Sequence, residues 1–143
     1  MFIGEYYHTI DSKRRLAIPA KFRKDLGKKA VLTRGLDNCL YLYPLEEWKK
    51  LAEKLAQLPI NRSDSRAFSR LMLAGAMDVN LDQLGRILIP DYLKDYAFLG
   101  KRTVAAGLYN RIEIWDEAKW NSYKKQTTKA AETIAEKMNE LGI

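Results

Sequence analysis

Residues 10–19 have the sequence IDSKRRLAIP, and residues 81–90 have the sequence LDQLGRILIP. Both stretches follow the pattern apolar-Asp-x-x-x-Arg-apolar-x-Ile-Pro. A second pair of segments, residues 35–42 and 107–114, also matches. The offset is 71 residues in the first block and 72 in the second, so the copies differ by one residue of loop length. The chain therefore contains the same structural unit twice.

Each copy predicts strand, turn, strand, short helix, strand, hairpin loop, strand and helix. Leu16 and Ile18 alternate with other residues as strand residues do. Pro19 stands where a helix can begin, because a proline there loses no hydrogen bond. Gly27 is suited to the left-handed position that ends a helix. The second copy repeats this order.

A single copy is too short to bury a stable core, so the two copies are expected to share one. The fold class is therefore mainly β with flanking helices (α+β). The predicted boundaries are residues 5–47 for the first repeat, 48–75 for a helical connection, 76–119 for the second repeat and 120–143 for a C-terminal helix.

Two helical segments lie outside the repeated strands. Between the copies, Phe68, Leu71 and Met72 have helical spacing, with a cap expected near Asn61 or Ser63. At the C-terminus, apolar residues are expected to form one helical stripe. These residues are Trp120, Tyr123, Ala131, Ile134, Met138 and Leu141. Trp48 and its counterpart Trp120 are interpreted as anchors that pack each repeat's helix on the sheet.

The composition excludes several classes of protein. Apolar residues make up 47% and charged residues 30%, with a formal net charge of +7, which argues against a disordered chain. The single cysteine excludes an intrachain disulfide and a cysteine-based zinc site, and the single histidine excludes His-paired metal sites. The longest apolar run, Leu71 to Met77, is too short to cross a membrane. A cytoplasmic protein with a reduced thiol is expected.

The sequence carries no recognisable catalytic group. Cys39 is interpreted as a small apolar residue of a strand, and His8 as a structural imidazole. Asp11 and Asp82 are each followed four residues later by an arginine, which keeps a carboxylate ionised and disfavours a general acid. No catalytic residue, cofactor, metal or small-molecule substrate is therefore predicted.

The positive charge is concentrated at the start of the chain. Residues 1–58 carry 12 basic and 7 acidic groups, whereas residues 75–143 carry 10 of each. Lys13, Arg14 and Arg15 follow Asp11 within one turn, where arginine can bind phosphate or guanine with two parallel hydrogen bonds. We interpret this turn as a candidate nucleic-acid contact, with Asp11 hydrogen-bonded to its backbone. A solvated charged surface is the alternative.

Several segments together resemble the MraZ family of bacterial transcriptional regulators. The matching residues are MFIGEY at 1–6, HTID at 8–11, RLAIPAKFR at 15–23, LMLAGA at 71–76 and GRILIP at 85–90. The resemblance covers nearly all of the chain. It implies two half-units of an AbrB-like swapped-hairpin β-barrel in each subunit, and assembly of subunits into a ring.

The resemblance also implies roles for residues of the Asp-x-x-x-Arg pattern. Lys13, Arg15 and Arg86 would contact double-stranded DNA, and Asp11 and Asp82 would shape their turns. The sequence departs from the family's pattern at two positions. Arg14 replaces a frequent glycine, so the first turn is expected to adopt a positive φ less readily. Leu84 stands where a lysine is common, so the second turn offers only Arg86.

The resulting functional prediction is a nucleoid-associated repressor of its own division and cell-wall operon. A ring whose subunits are related by rotation is expected to bind direct repeats instead of a palindrome. Two alternatives stay open at this stage. Exposed tyrosines could stack RNA bases, although no RNA-binding signature is present. The chain could also be an assembly module whose basic turn is only a solvated surface.

Overall fold

The computed structural model describes all residues from Met1 to Ile143, which form eight strands and six α-helices. The strands are β1 (Phe2–Thr9), β2 (Arg15–Ala17), β3 (Lys29–Arg34), β4 (Leu40–Pro44), β5 (Met77–Asn80), β6 (Arg86–Leu88), β7 (Arg102–Tyr109) and β8 (Ile112–Asp116). The helices are α1 (Ala20–Leu26), α2 (Leu45–Ala56), α3 (Ser63–Ser69), α4 (Asp91–Tyr96), α5 (Glu117–Lys129) and α6 (Ala131–Met138). The α+β class is confirmed.

The short helix of each repeat begins directly after the proline of the repeated motif. Pro19 precedes α1 and Pro90 precedes α4, because proline's fixed φ suits a helix start and its missing N–H is not needed there. Helix α1 ends at Gly27, whose φ of 80° lies in the left-handed region that favours glycine. The repeated sequence thus sets where these helices begin.

The strands of the two repeats interlock. Six antiparallel strands form one sheet in the order β1-β7-β8-β4-β3-β5, so each repeat supplies an edge strand that pairs with the other repeat. The remaining strands, β2 and β6, pair with each other as a separate antiparallel ribbon. Hydrogen bonding does not close these strands into one barrel. The expectation of a shared core is confirmed, because residues of both repeats belong to one buried cluster.

The main core lies between the six-stranded sheet and a layer made of the ribbon, α1 and α4. Leu16 and Ile87 point inward from the ribbon and are 1% exposed. They belong to the same buried cluster as Leu32, Leu40 and Ile112 of the sheet. Burial of each such side chain contributes about 1.5–3 kcal/mol, so the ribbon is held firmly on the sheet.

Helices α2 and α5 cover the opposite face of the sheet. The Trp48 ring lies 5.9 Å from that of Tyr43, and the Trp120 ring lies 5.3 Å from that of Trp115. Tyr43 and Trp115 alternate with core residues along their strands, which places them on the outer face. The interpretation of both tryptophans as helix anchors is confirmed.

The connection between the repeats is helical, as predicted. Helix α3 begins after Arg62, which lies between Asn61 and Ser63, but no side chain caps the helix. A π-helical turn, Arg70–Ala74, ends the connection. The buried Thr33 hydroxyl donates to the Met72 carbonyl at 2.7 Å, which satisfies one backbone group of this wider turn.

The C-terminal segment forms two helices instead of one. Asp116 accepts a hydrogen bond from the Lys119 backbone N–H and so caps α5, and the helix breaks at Ala130. Trp120 and Tyr123 pack on Trp115, but Ile134, further along the expected stripe, stays 41% exposed. None of the helices combines the length and the apolar character needed to span a membrane.

Candidate nucleic-acid interface

The first Asp-x-x-x-Arg motif forms a turn organised by the Asp11 carboxylate. Its Oδ1 atom accepts the backbone N–H groups of Lys13 at 2.9 Å and Arg15 at 2.8 Å. Its Oδ2 atom accepts the Arg15 Nε–H at 2.7 Å. These are the contacts that a turn-shaping aspartate requires, and they fix the direction of the Arg15 side chain.

The second motif has the same geometry. Asp82 Oδ1 accepts the backbone N–H groups of Leu84 and Arg86, both at 2.9 Å, and Oδ2 accepts the Arg86 Nε–H at 2.8 Å. The hydrogen bond from the Arg86 backbone is the largest of the effects that hold the pKa of Asp82 below its usual range. The pKa of Asp11 is lowered by the corresponding bond from Arg15. Both carboxylates are therefore ionised at neutral pH.

Arg15 and Arg86 use only Nε in these ion pairs. The Nη atoms of both guanidinium groups have no hydrogen-bond partner within the chain. The arginine side chains are 36% and 27% exposed, respectively. An arginine that is oriented through Nε and keeps its Nη atoms available is prepared for a two-pronged contact with phosphate or guanine.

The ribbon brings these two arginines together. Arg15 pairs with Leu88 and Arg86 pairs with Ala17, while the buried Leu16 pairs with Ile87. Because side chains of a cross-strand pair lie on one face and alternate along each strand, Arg15 and Arg86 share the outer face. They occupy diagonal positions, for which the separation is about 7–8 Å.

The turn at position 14 differs from the sequence-based expectation. Arg14 adopts a φ of 62°, close to the 73° of its counterpart Gly85, although the sequence predicts that an arginine adopts a positive φ less readily. A non-glycine residue in the left-handed region costs roughly 1–2 kcal/mol, so other contacts must hold it. Asp11 supplies two of them by accepting the flanking N–H groups of Lys13 and Arg15.

The Arg14 side chain is directed toward its own chain. Its Nη1 atom donates to the Ile89 carbonyl at 3.3 Å, and its Nε atom lies 3.3 Å from the Asp91 carboxylate. At the other end of the ribbon, Arg23 Nε donates to the equivalent carbonyl of Ile18 at 2.8 Å. At each end of the ribbon, therefore, a guanidinium donates a hydrogen bond to a backbone carbonyl. The two arginines do not occupy equivalent positions in the two repeats.

Each turn is flanked by cations that come from the other repeat. A groove of about 580 Å³ beside the second turn is lined by Arg23, Lys24 and Lys28 together with Asp82. A groove of about 620 Å³ beside the first turn is lined by Lys94 and Lys101 with Asp11. Sequence reasoning assigned the positive charge to the first repeat's own turn and missed these flanking residues. Their position beside the turns depends on the pairing of β2 with β6, which cannot be read from the sequence.

Three other residues that the sequence singles out are Lys13, Cys39 and His8. Lys13 is exposed at the tip of the first turn and makes no ion pair. Its counterpart in the second turn, Leu84, is also exposed (64%) but carries no charge. Cys39 is fully buried, and burial raises the pKa of its thiol, which favours the unreactive protonated form. His8 is half-buried on β1, and its imidazole makes no hydrogen bond. No group of three metal-binding side chains is present.

Comparison with known proteins shows the family of the chain. The chain matches the family described as "MraZ protein, putative antitoxin-like" over residues 1–71 and again over residues 72–141. Proteins named transcriptional regulator MraZ from Natranaerobius thermophilus and Clostridium tetani are each 52% identical to it over 143 residues. The protein of that name from Moorella thermoacetica is 49% identical. Each alignment covers 100% of both chains. The chain therefore belongs to the MraZ family of transcriptional regulators.

Proposed function

We propose that this transcriptional regulator binds double-stranded DNA in a sequence-specific manner through the β2–β6 ribbon. The observation that carries the proposal is the placement of Arg15 and Arg86 on the ribbon's outer face, with their Nη atoms unoccupied. A two-stranded ribbon fits the major groove of B-DNA, which is about 12 Å wide. Arginine there can donate to O6 and N7 of guanine.

The other cations have separate roles in this proposal. Lys13 at the tip of the first turn contacts the phosphate backbone. Lys24 and Lys28 do the same beside the second turn, where they line the groove next to Asp82. The sequence also predicts that Arg14 binds DNA; we propose instead that it holds the ribbon, and its contacts with Ile89 and Asp91 support this role.

The operator is proposed to be a set of direct repeats upstream of the chain's own operon of division and cell-wall genes, which the protein represses. One ribbon presents two arginines and would bind weakly. Several ribbons on one ring would bind more tightly, because later contacts form at high effective concentration. Subunits related by rotation present their ribbons in the same orientation, which direct repeats match. Binding to chromosomal DNA would place the protein at the nucleoid.

The experiment is a salt titration of binding to three probes. These are a duplex of the chain's own upstream region, a scrambled duplex and single-stranded RNA of matched sequence. The proposal expects tightest binding to the upstream duplex and a steep loss of affinity with salt. Preference for the unpaired RNA would favour an RNA-binding regulator, and no binding to any probe would favour an assembly module.

The multivalent part is tested on duplexes with one, two and three repeats. Affinity should rise with repeat number and fall when the spacing changes by half a helical turn. Equal affinity for one repeat and for three would contradict the ring model. A palindromic operator would contradict it as well.

A further inference from the structure

The outer face of the β2–β6 ribbon carries two apolar side chains beside its two arginines. Because side chains alternate along each strand, Ala17 shares this face with Arg15, and Leu88 shares it with Arg86. The neighbour of Leu88 on β6, Ile87, points into the core and is 1% exposed. Leu88 itself is 51% exposed. A large apolar side chain therefore lies on the surface through which DNA binding is proposed.

The two repeats differ in the apolar character of this surface. The offset of 71 residues makes Ala17 the counterpart of Leu88, and Lys13 the counterpart of Leu84. Leu84, at the tip of the second turn, is 64% exposed. The second repeat thus exposes leucines at two positions where the first repeat has an alanine and a lysine. Equivalent arginines have chemically different neighbours in the two halves of the ribbon.

Leu88 lies close to both arginines. It is directly opposite Arg15 in the strand register, so their Cβ atoms are about 4.5–5.5 Å apart. Arg86 is two residues away on the same strand, at about 7 Å. A single exposed leucine is ordinary on a protein surface, but this one lies between two guanidinium groups with free Nη atoms. Bases contacted by the arginines bring neighbouring base edges against Leu88.

The chemistry of the major groove determines which base edge a leucine favours. Guanine, adenine and cytosine expose hydrogen-bond acceptors or donors there, whereas thymine also exposes its 5-methyl group. A leucine against an acceptor or donor removes water and supplies no hydrogen bond in exchange, which is unfavourable. A leucine against a methyl group buries apolar area on both sides, which is favourable. Leu88 therefore favours thymine over the other bases.

We propose that Leu88 contacts the 5-methyl group of a thymine next to the guanine bound by Arg15. This inference rests on the proposed function and deepens it, because it adds a base that the arginines do not specify. Ala17 ends at its Cβ atom and therefore reaches less far toward the bases. Each ribbon then recognises an asymmetric site, with the thymine on the Leu88 side.

The first test changes the DNA and leaves the protein intact. Deoxyuridine pairs with adenine as thymine does but lacks the methyl group. It replaces thymine at one position of each repeat at a time, in a duplex of three repeats from the chain's own upstream region. Wild type should lose at least about fourfold in affinity at one position, the effect expected for one buried methyl group. Equal affinity for all these duplexes, or repeats without thymine, would overturn the proposal.

The second test combines the DNA change with a protein change. Leu88→Ala should bind the thymine duplex more weakly and should no longer distinguish it from the deoxyuridine duplex. Leu84→Ala and Leu141→Ala are the matched controls, because both leucines are exposed and lie outside the ribbon strands. Both should keep the wild-type ratio of affinities. This ratio does not depend on the folded fraction of a variant, so lower stability does not affect it.

The outcome of this cycle assigns the methyl contact to one residue. A fourfold preference for thymine that persists in Leu88→Ala would overturn the proposal. Loss of the preference in Leu84→Ala, with retention in Leu88→Ala, would assign the methyl group to the turn tip and would also overturn it.

The third test locates the thymine relative to Arg15. Guanine methylation interference with Arg15→Ala identifies the guanine that Arg15 contacts, because its interference is lost. The thymine that couples to Leu88 should lie within about two base pairs of that guanine, since the two side chains are cross-strand neighbours. A coupled thymine farther away would contradict the strand register on which the contact depends.

The wild-type measurements separate this inference from the proposed function. If wild type binds the upstream duplex no more tightly than a scrambled duplex, the proposed function fails and the thymine contact fails with it. If wild type prefers the upstream duplex but does not distinguish thymine from deoxyuridine, the proposed function stands and only the Leu88 contact fails. A preference for thymine that disappears in Leu88→Ala alone is the result that the inference predicts.

Discussion

Arg15 and Arg86 lie diagonally across one two-stranded ribbon, on its outer face, although 71 residues separate them in the sequence. Each guanidinium is held at Nε by the aspartate of its own turn. Because β2 pairs with β6, two arginines from equivalent positions of the two repeats lie on the same surface. Most consequences of the structure for function depend on this relationship.

The first prediction concerns the two arginines themselves. Arg15→Ala and Arg86→Ala should each reduce specific DNA binding by about 1–3 kcal/mol and relax base preference at one position. Sequence reasoning ranks Arg86→Ala as the milder change, because its turn lacks neighbouring cations. The structure removes that reason by placing Arg23, Lys24 and Lys28 beside the second turn.

Fluorescence anisotropy with specific and scrambled duplexes measures both losses. Lys129→Ala, at the end of α5, is the control and should bind like wild type. A folded Arg86→Ala variant with unchanged specificity would remove the second turn from the DNA interface.

The second prediction assigns Lys28 to phosphate instead of bases. Lys28→Ala should weaken binding to specific and scrambled duplexes by the same factor. The slope of log affinity against log salt should become shallower by about one, because one fewer counterion is released. A change confined to the specific duplex would contradict the assignment.

The third prediction concerns Arg14, which combines a left-handed backbone with contacts to Ile89 and Asp91. Arg14→Ala loses the contacts and keeps the unfavourable φ, whereas Arg14→Gly loses the contacts but relieves the strain. Arg14→Gly should therefore be more stable than Arg14→Ala by about 1 kcal/mol in urea unfolding.

DNA binding supplies the second measurement on the same two variants. Arg14→Gly should leave the salt slope unchanged, since the proposal gives this residue no phosphate contact. Equal stability of the two variants would show that the turn does not impose the left-handed conformation. A shallower salt slope would return Arg14 to the DNA contacts.

The fourth prediction concerns the protonation of Asp82. Its pKa is lowered from the usual 3.8, mainly by the Arg86 backbone N–H and, beyond that, by the Arg86 side chain. The stabilisation it provides is therefore present above the unfolded pKa and is lost as pH falls through the folded pKa. Arg86→Ala should raise the pKa of Asp82 only partly, because the backbone donors stay in place.

Carbon-detected NMR titration of the aspartate carboxyl groups measures this shift. Asp11 serves as the internal control, because it belongs to the other turn and should titrate as in wild type. Full return of Asp82 to its usual pKa in Arg86→Ala would contradict the dominance of the backbone hydrogen bonds.

Much of the fold follows from the repeat, but its connectivity does not. The repeated prolines and the alternating Leu16 and Ile18 predict short helices and strands locally. Which strands pair depends on long-range contacts, so the pairing of β2 with β6 leaves no local signal. For the same reason, the sequence predicts Arg15 and Arg86 as separate candidate DNA contacts but does not predict that they lie on the same face of the ribbon.

The site residues that the sequence misses are missed for a similar reason. In the sequence, Arg23 and Lys28 belong to the positively charged stretch of the first repeat, yet they line the groove of the second repeat's turn. Arg14 looks like one more exposed cation, but Asp91, 77 residues away, pairs with it. The distribution of charged residues along the sequence therefore does not predict where the charges lie in the folded protein.

If Arg15 and Arg86 of one ribbon enter the same major groove, guanine methylation interference detects both contacts. Methylation at N7 blocks a major-groove acceptor of arginine. A separation of about 7–8 Å corresponds to roughly two to three base pairs along the duplex. Wild type should therefore show two interfering guanines at that spacing in each repeat.

The variants determine which arginine contacts which base. Arg15→Ala should lose interference at one guanine and keep it at the other, and Arg86→Ala should show the reverse. This result would place both arginines in one groove. Interference confined to adenine N3 in the minor groove, or both guanines still interfering in both variants, would show that the two arginines do not share a major groove.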